Sequence, residues 1–195
     1  MLFRSHVDVA NSQVVKEALP VLAEVAGMIG DPAVRHRGTI GGALAHNDPN
    51  ADYPAAVLGL GATIITSKRR ISADDFFKGM FETALEPDEI ITKVSFPLAK
   101  KAAYQKFKQP ASGFALVGVF VSKRGADIRV AVTGAGASGV FRVKAFEEAL
   151  KKRFSPKSIE GMTVPATGLG SDIHGSAEYR AHLIGVLARR ALAAA

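Results

Sequence analysis

"VRHRGTIGGALAHNDPNAD", residues 34–52, is the stretch that decides how this chain is read. Thr39, Gly41 and Gly42 fall within four positions, and Asp48 and Asp52 follow Gly42 within ten residues. Glycines at 41 and 42 let backbone amides come close to an anion, and Thr39 adds a hydroxyl. Successive amides at a turn leading into a short helix make a nest for phosphate oxygens. Asp52 lies beyond the loop-forming run "HNDPN" and can accept hydrogen bonds from sugar-type hydroxyls. The same residues also suit a capping turn, with Asp52 as N-cap of the helix that "YPAAV" begins. Local physics leaves these two readings level. A turn built this way predicts positive φ at Gly42.

Outward from that stretch, residues 12–29 carry apolar residues at helical spacing, interrupted by Pro20, which predicts a kink or two short helices. "GDP" (30–32) closes that segment. After the glycine turn, "YPAAVLGLGA" reads as a short apolar helix with Pro54 in its first turn. "ATIITS" (62–67) reads as a strand with "RRIS" as its partner, "ADDFFKGMF" as a small helix, and "DEIITKVSFP" (88–97) as a strand ended by Pro97. Beyond "LAKK" the pattern changes. Residues 102–109, 115–123 and 126–134 read as three strands, with "VFRV" as a fourth. "KAFEEALKKRF" (144–154) is an amphipathic helix with lysines at its C-terminal end, and Ser176 caps a final helix with Glu178 in its first turn. Antiparallel strand clusters with segregated helices make the fold class α+β. A boundary near residue 98 divides the chain into two parts, 1–98 and 99–195.

Composition bounds the function. With 48% hydrophobic and 22% charged residues, the 195-residue chain is globular, and no run approaches the roughly 18 apolar residues of a membrane span. The N-terminus reads as lacking a signal peptide, and the absence of cysteine points to a reducing, cytoplasmic location. The net charge of +7 raises nucleic acid as a partner. The basic residues are scattered and not interleaved with aromatics, so the reading is no nucleic acid. An anionic cofactor or an acidic partner balances the charge equally well.

"GAGASG" (134–139) is formally a G-x-G-x-x-G after a strand, but a strand-like "VFRV" follows it and the next helix starts only near 144. A dinucleotide fingerprint opens a helix directly. The motif therefore reads as a hairpin, with Gly136 at positive φ. His36 and His46 with Asp48 lack the spacing of a zinc site and read as loop histidines. No nucleophile set can be argued from spacing, which favours chemistry carried by a cofactor.

The stretch "IGDPAVRHRGTIGGALAHNDPNADYPAAVLGLGA" resembles the second FAD motif of the flavoprotein (medium) subunits of molybdenum hydroxylases, the family of carbon monoxide dehydrogenase, xanthine dehydrogenase and 4-hydroxybenzoyl-CoA reductase. The likeness continues through "DEIITKVSFP", "YQKFKQPASGFALVGVFV" and "DIHGSAEYRAHLIGVLARRAL". It implies the second part of a PCMH-type FAD-binding domain followed by the flavoprotein C-terminal α+β domain. It places Thr39, Ile40, Gly41 and Gly42 at the FAD pyrophosphate and matches Asp52 to the acidic position that reaches the cofactor's hydroxyls. Position 43, polar in the family, is Ala43 here, which removes one side-chain contact. Ile91 matches an apolar residue packing on the flavin ring system, and Lys108 a basic residue near the flavin.

The implied function is electron transfer. Electrons leave a molybdopterin centre in a large subunit, cross iron–sulfur clusters in a small one, and pass through FAD to an external acceptor, so the implied state is a hetero-oligomer. Family members begin with a subdomain holding an "AGGTDL"-like turn on the other side of the pyrophosphate, and nothing like it occurs in this sequence. The resemblance therefore implies weak FAD occupancy and an inactive chain on its own. The alternative reading is a module without FAD that assembles the same complex.

Overall fold

The computed structural model describes residues 4–195. Its first part is helical. α1 (His6–Asn11) starts at a capping box in which Ser5 accepts from the Asp8 amide while Asp8 accepts from the Ser5 amide. α2 (Gln13–Ala18) and α3 (Pro20–Gly27) are separate helices, because Leu19 leaves helical geometry and Pro20 takes the first position of α3, where its missing N–H is harmless. α4 (Pro32–Arg37) is a helix the sequence reading left out: Asp31 caps it and Pro32 begins it, so "GDP" ends one helix and starts the next. α5 (Ile40–His46) and α6 (Asp52–Leu60) follow.

β1 (Thr63–Thr66) pairs with β2 (Arg70–Ser72) as the sequence predicts. The "ADDFFKGMF" helix is shorter than expected. Only α7 (Ala73–Phe76) is helical, and the chain then turns into β3 (Phe77–Gly79), which pairs with β4 (Glu82–Thr83). β5 (Ile91–Ser95) adds to β1 and completes a three-stranded antiparallel sheet in the order β2-β1-β5.

β6 (Lys101–Lys108), β7 (Ala115–Arg124), β8 (Asp127–Thr133) and β9 (Phe141–Arg142) form an antiparallel meander. α8 (Lys144–Lys152), a short 3₁₀ turn at Pro156–Ile159 and α9 (Ala177–Ala194) complete the chain. β7 is buried along most of its length because both faces of the meander are covered. Val117, Val119 and Val121 point with Val130 and Val132 toward Phe146, Leu150, Ile184 and Leu187 of α8 and α9. Phe120, Tyr104 and Ala131 point the other way and share a core with Val57, Leu44 and Ile64.

The element filling that second interface is α6, all nine residues of which are buried. A helix apolar all round, as "YPAAVLGL" is, belongs in such a place. Ser122 Oγ donates to the Gly59 carbonyl at 2.6 Å, and a Cβ at Gly59 would press on the Phe120 ring, so the helix lies directly on the sheet.

"GAGASG" is a hairpin connection: β8 pairs with β9, which follows the glycines directly where a fingerprint would open a helix. Its positive φ values are at Gly134 and Gly139, however, and not at Gly136. Gly136 is glycine for a steric reason, since a Cβ there would overlap the Gly139 carbonyl oxygen.

Candidate functional site

The glycine pair does not form the positive-φ turn predicted for it; Gly41 and Gly42 lie in the first turn of α5. Thr39 is the N-cap, and its Oγ1 accepts from the Gly42 amide at 3.0 Å. The Ile40 amide donates to the Arg4 carbonyl at 3.1 Å, and the Gly41 amide has no partner among the described residues. A Cβ on Gly41 would meet nothing within 4 Å, so the position opens onto free space, whereas one on Gly42 would sit 3.0 Å from the Thr39 hydroxyl.

That free space is a cavity of about 270 Å³ with Thr39, Gly41 and Gly42 on one side and Leu85, Ile90 and Ile91 on the other. Four of the residues singled out from the sequence thus cluster with Ile40 beside them in the chain. Ile90, exposed at 62%, is a wall residue the sequence reading missed. The turn that presents it hangs on Glu89. Glu89 Oε1 accepts from Thr66 Oγ1 (2.6 Å) and Arg69 Nε (3.0 Å), while Oε2 accepts from Arg69 and from the Glu86 amide, each at 3.0 Å. The Arg69 hydrogen bonds, helped by Thr66 and the Glu86 amide, hold the Glu89 carboxyl down at about 2.

Asp52 is placed differently from its expected role. Ala51, not Asp52, is the N-cap of α6, and Asp52 is buried with both carboxylate oxygens occupied. Tyr104 donates to Oδ1 at 2.6 Å and Lys106 to Oδ2 at 2.8 Å. Burial pushes this carboxyl up from the usual range, and Lys106 and Tyr104 pull against it. Neither partner was singled out from the sequence. The signal was the alternation of Tyr104 and Lys106 along β6, which sets both on the face toward Asp52. Lys108 lies beyond a register shift after Phe107, exposed, and its charge adds to the field on Asp52.

The "HNDPN" loop is fixed rather than mobile. Asn47, left-handed at φ 46°, donates to the carbonyls of Gly79 (2.8 Å) and Glu82 (2.9 Å). Thr133 Oγ1 reaches the carbonyls of Pro49 and Ala51, and the Gly134 amide donates to Pro49 at 2.8 Å. Ala43 and Asp52 line a second cavity, about 230 Å³, distinct from the one beside Gly41. His36 and His46 sit in the last turns of α4 and α5, not in loops, and His46 packs on Phe81.

Residues 3–99 match the family model described as the FAD binding domain in molybdopterin dehydrogenase. Residues 102–195 match the CO dehydrogenase flavoprotein C-terminal domain. The chain is 32% identical over 203 residues to the carbon monoxide dehydrogenase medium chain of Hydrogenophaga pseudoflava, covering 96% of this chain and 71% of that one. The chain belongs to the FAD-binding medium-subunit family of the molybdopterin dehydrogenases. Within that family it is also 36% identical to the nicotine 6-hydroxylase medium subunit of Paenarthrobacter nicotinovorans, over 96% of this chain and 71% of that subunit. The fold agrees: carbon monoxide dehydrogenase from Hydrogenophaga pseudoflava superposes with a TM-score of 0.84 at 33% identity, over 98% of this chain and 72% of the other. FAD is the cofactor of this family, and the residues present fit it. A helix start with an open, Cβ-free edge at Gly41 faces Leu85, Ile90 and Ile91, with the Glu89 carboxylate in the same wall already held by Thr66 and Arg69, and this suits a phosphate joined to a planar ring. Among the described residues no helix is long and apolar enough to cross a membrane.

Proposed function

We propose that this medium subunit carries electrons from the iron–sulfur clusters of a small subunit, through FAD, to an external acceptor, within a cytoplasmic hetero-oligomer whose large subunit holds molybdopterin. The observation that carries this reading is the Thr39–Gly42 helix start opening onto the cavity walled by Leu85, Ile90 and Ile91. In it Thr39 and the amide of Gly41 hold the FAD diphosphate, Gly41 leaves room for its oxygens, and Ile91 packs on a ring. Lys108 supplies a positive charge near the flavin. Asp52 acts at one remove: it fixes the start of α6 beneath the site through Tyr104 and Lys106. Bound FAD supplies the two-electron chemistry; no residue of this chain oxidises a substrate, and the chain alone turns nothing over.

The occupied carboxylate of Asp52 favours a second reading, in which the same fold assembles the complex without FAD. Co-expression with the partner subunits separates the two. The first reading gives a yellow complex with flavin near one per medium subunit; a colourless complex of full composition leaves only the second.

A further inference from the structure

Two helix caps meet beside the glycine pair. Ser5 caps α1, Thr39 caps α5, and the two residues face each other in an antiparallel bridge. Hydrogen bonds close the bridge from both sides: the His6 amide donates to the Gly38 carbonyl at 2.9 Å, and the Ile40 amide to the Arg4 carbonyl at 3.1 Å. Residues 4–6 therefore run as a short brace along 38–40. The brace has work to do, because α5 is only seven residues long and begins Ile-Gly-Gly. Glycine is a poor helix former, and a short helix does not hold its own start without tertiary support.

The His6 side chain locks the brace. It is 4% exposed and lies between Gly38 and the Tyr53 ring, with the two ring centroids 5.3 Å apart. Gly38 has φ −68° and ψ 148°, extended backbone that any residue adopts, so no turn calls for glycine there. The imidazole does: a Cβ at position 38 would overlap His6 Nε2. Tyr53 belongs to the first turn of α6, so one side chain keys the starts of α1, α5 and α6 to one another. Among the described residues neither His6 Nδ1 nor Tyr53 Oη has a hydrogen-bond partner. A buried, unpaired polar atom costs stability, so this contact does not stand for stability alone.

We infer that His6 is a positioning residue for the diphosphate site: seated in the room left by Gly38 and against Tyr53, it fixes the direction in which Thr39 and the Gly41 amide face their cavity. The inference rests on the reading of Thr39–Gly42 as that site. His6 is not part of the wall of the cavity beside Gly41, so it acts through Gly38 and Thr39.

The test is titration of the full chain with FAD and with ADP, which shares the diphosphate, together with amide hydrogen exchange of the cofactor-free chain. His6→Ala should weaken both ligands by the same factor, about three- to tenfold, in the folded protein. The Ile40 and Gly42 amides, which donate to the Arg4 carbonyl and to Thr39 Oγ1, should exchange about tenfold faster, while those of β7 and β8 stay protected. Gly38→Ala, which pushes the imidazole out, should give the same pattern. Adding it to His6→Ala should cost nothing further, because the ring that its Cβ would strike is gone. A lower melting temperature with wild-type affinity in the folded fraction means a role in stability alone and overturns the inference. Wild-type exchange at Ile40 and Gly42 in His6→Ala overturns it too, as does a double variant in which the two losses multiply. If the wild-type chain binds neither FAD nor ADP, the diphosphate reading falls, and this inference with it. If it binds both and His6→Ala binds them equally well, only the positioning role falls.

Discussion

Lys106 Nζ lies 2.8 Å from Asp52 Oδ2, with the two side chains 1% and 2% exposed, and this pair joins the sheet of the C-terminal part to the first turn of α6. Lys106 also donates to the Met28 carbonyl at the end of α3, so one ammonium ties three elements together. Removing one partner of such a pair leaves the other charge buried and uncompensated, which costs about 3–5 kcal/mol. Asp52→Leu or Lys106→Met should each lower the stability of the cofactor-free chain by that order in denaturant unfolding. The double variant should recover most of the loss. Single variants at wild-type stability would mean that the pair holds nothing together.

The same contact predicts that the chain does not separate at residue 98. Tyr104, Phe120 and Ala131 belong to the core built by Leu44, Val57 and Ile64. A fragment ending at 98 leaves that core without its sheet wall and should lack a cooperative thermal transition. A sharp transition in the isolated fragment would contradict this.

Gly136→Ala should destabilise the fold without touching nucleotide binding. The added Cβ would overlap the Gly139 carbonyl oxygen inside the β8–β9 connection. The expected outcome is a lowered melting temperature, with FAD affinity unchanged in the fraction that folds. A selective loss of FAD would mean that "GAGASG" binds the dinucleotide after all.

Glu89 sets an acid limit. Its folded-state value near 2 lies below the ordinary 4.5, so the unfolded chain takes up the proton first as the pH falls. The stabilisation from the Arg69–Glu89 contact is complete above about 4.5 and is lost between there and about 2. Unfolding midpoints measured across that window should fall less steeply with pH in Glu89→Gln than in the wild type, from a lower starting stability. Parallel slopes would remove Glu89 as the titrating group.

Much of this was legible in the residues. The strands after 98 announced themselves by β-branched alternation, and Ser176 marked the last helix as its cap. The clustering of Thr39, Gly41, Gly42 and Ile91 followed from the resemblance, not from spacing. What sequence reading missed turns on partners distant in the chain. Nothing near Asp52 says that Tyr104 and Lys106 will claim both of its oxygens, and Lys106 looks like any strand lysine until β6 is laid against α6. Gly42 suggested positive φ because glycine permits it, whereas Thr39 capping drew the pair into a helix. α4 escaped notice because "GDP" reads as a stop, while Asp31 and Pro32 also make a good start.

The central claim is that the start of α5 holds a diphosphate, and Gly41→Leu tests it most directly. A side chain at 41 enters open space, not the protein, and leucine is a better helix former than glycine, so the cofactor-free chain should keep or raise its melting temperature. The same side chain would occupy the cavity in which the phosphates lie. FAD titration monitored by flavin fluorescence should show affinity reduced at least tenfold, about 1.4 kcal/mol. A folded Gly41→Leu chain that binds FAD as tightly as the wild type would contradict the account.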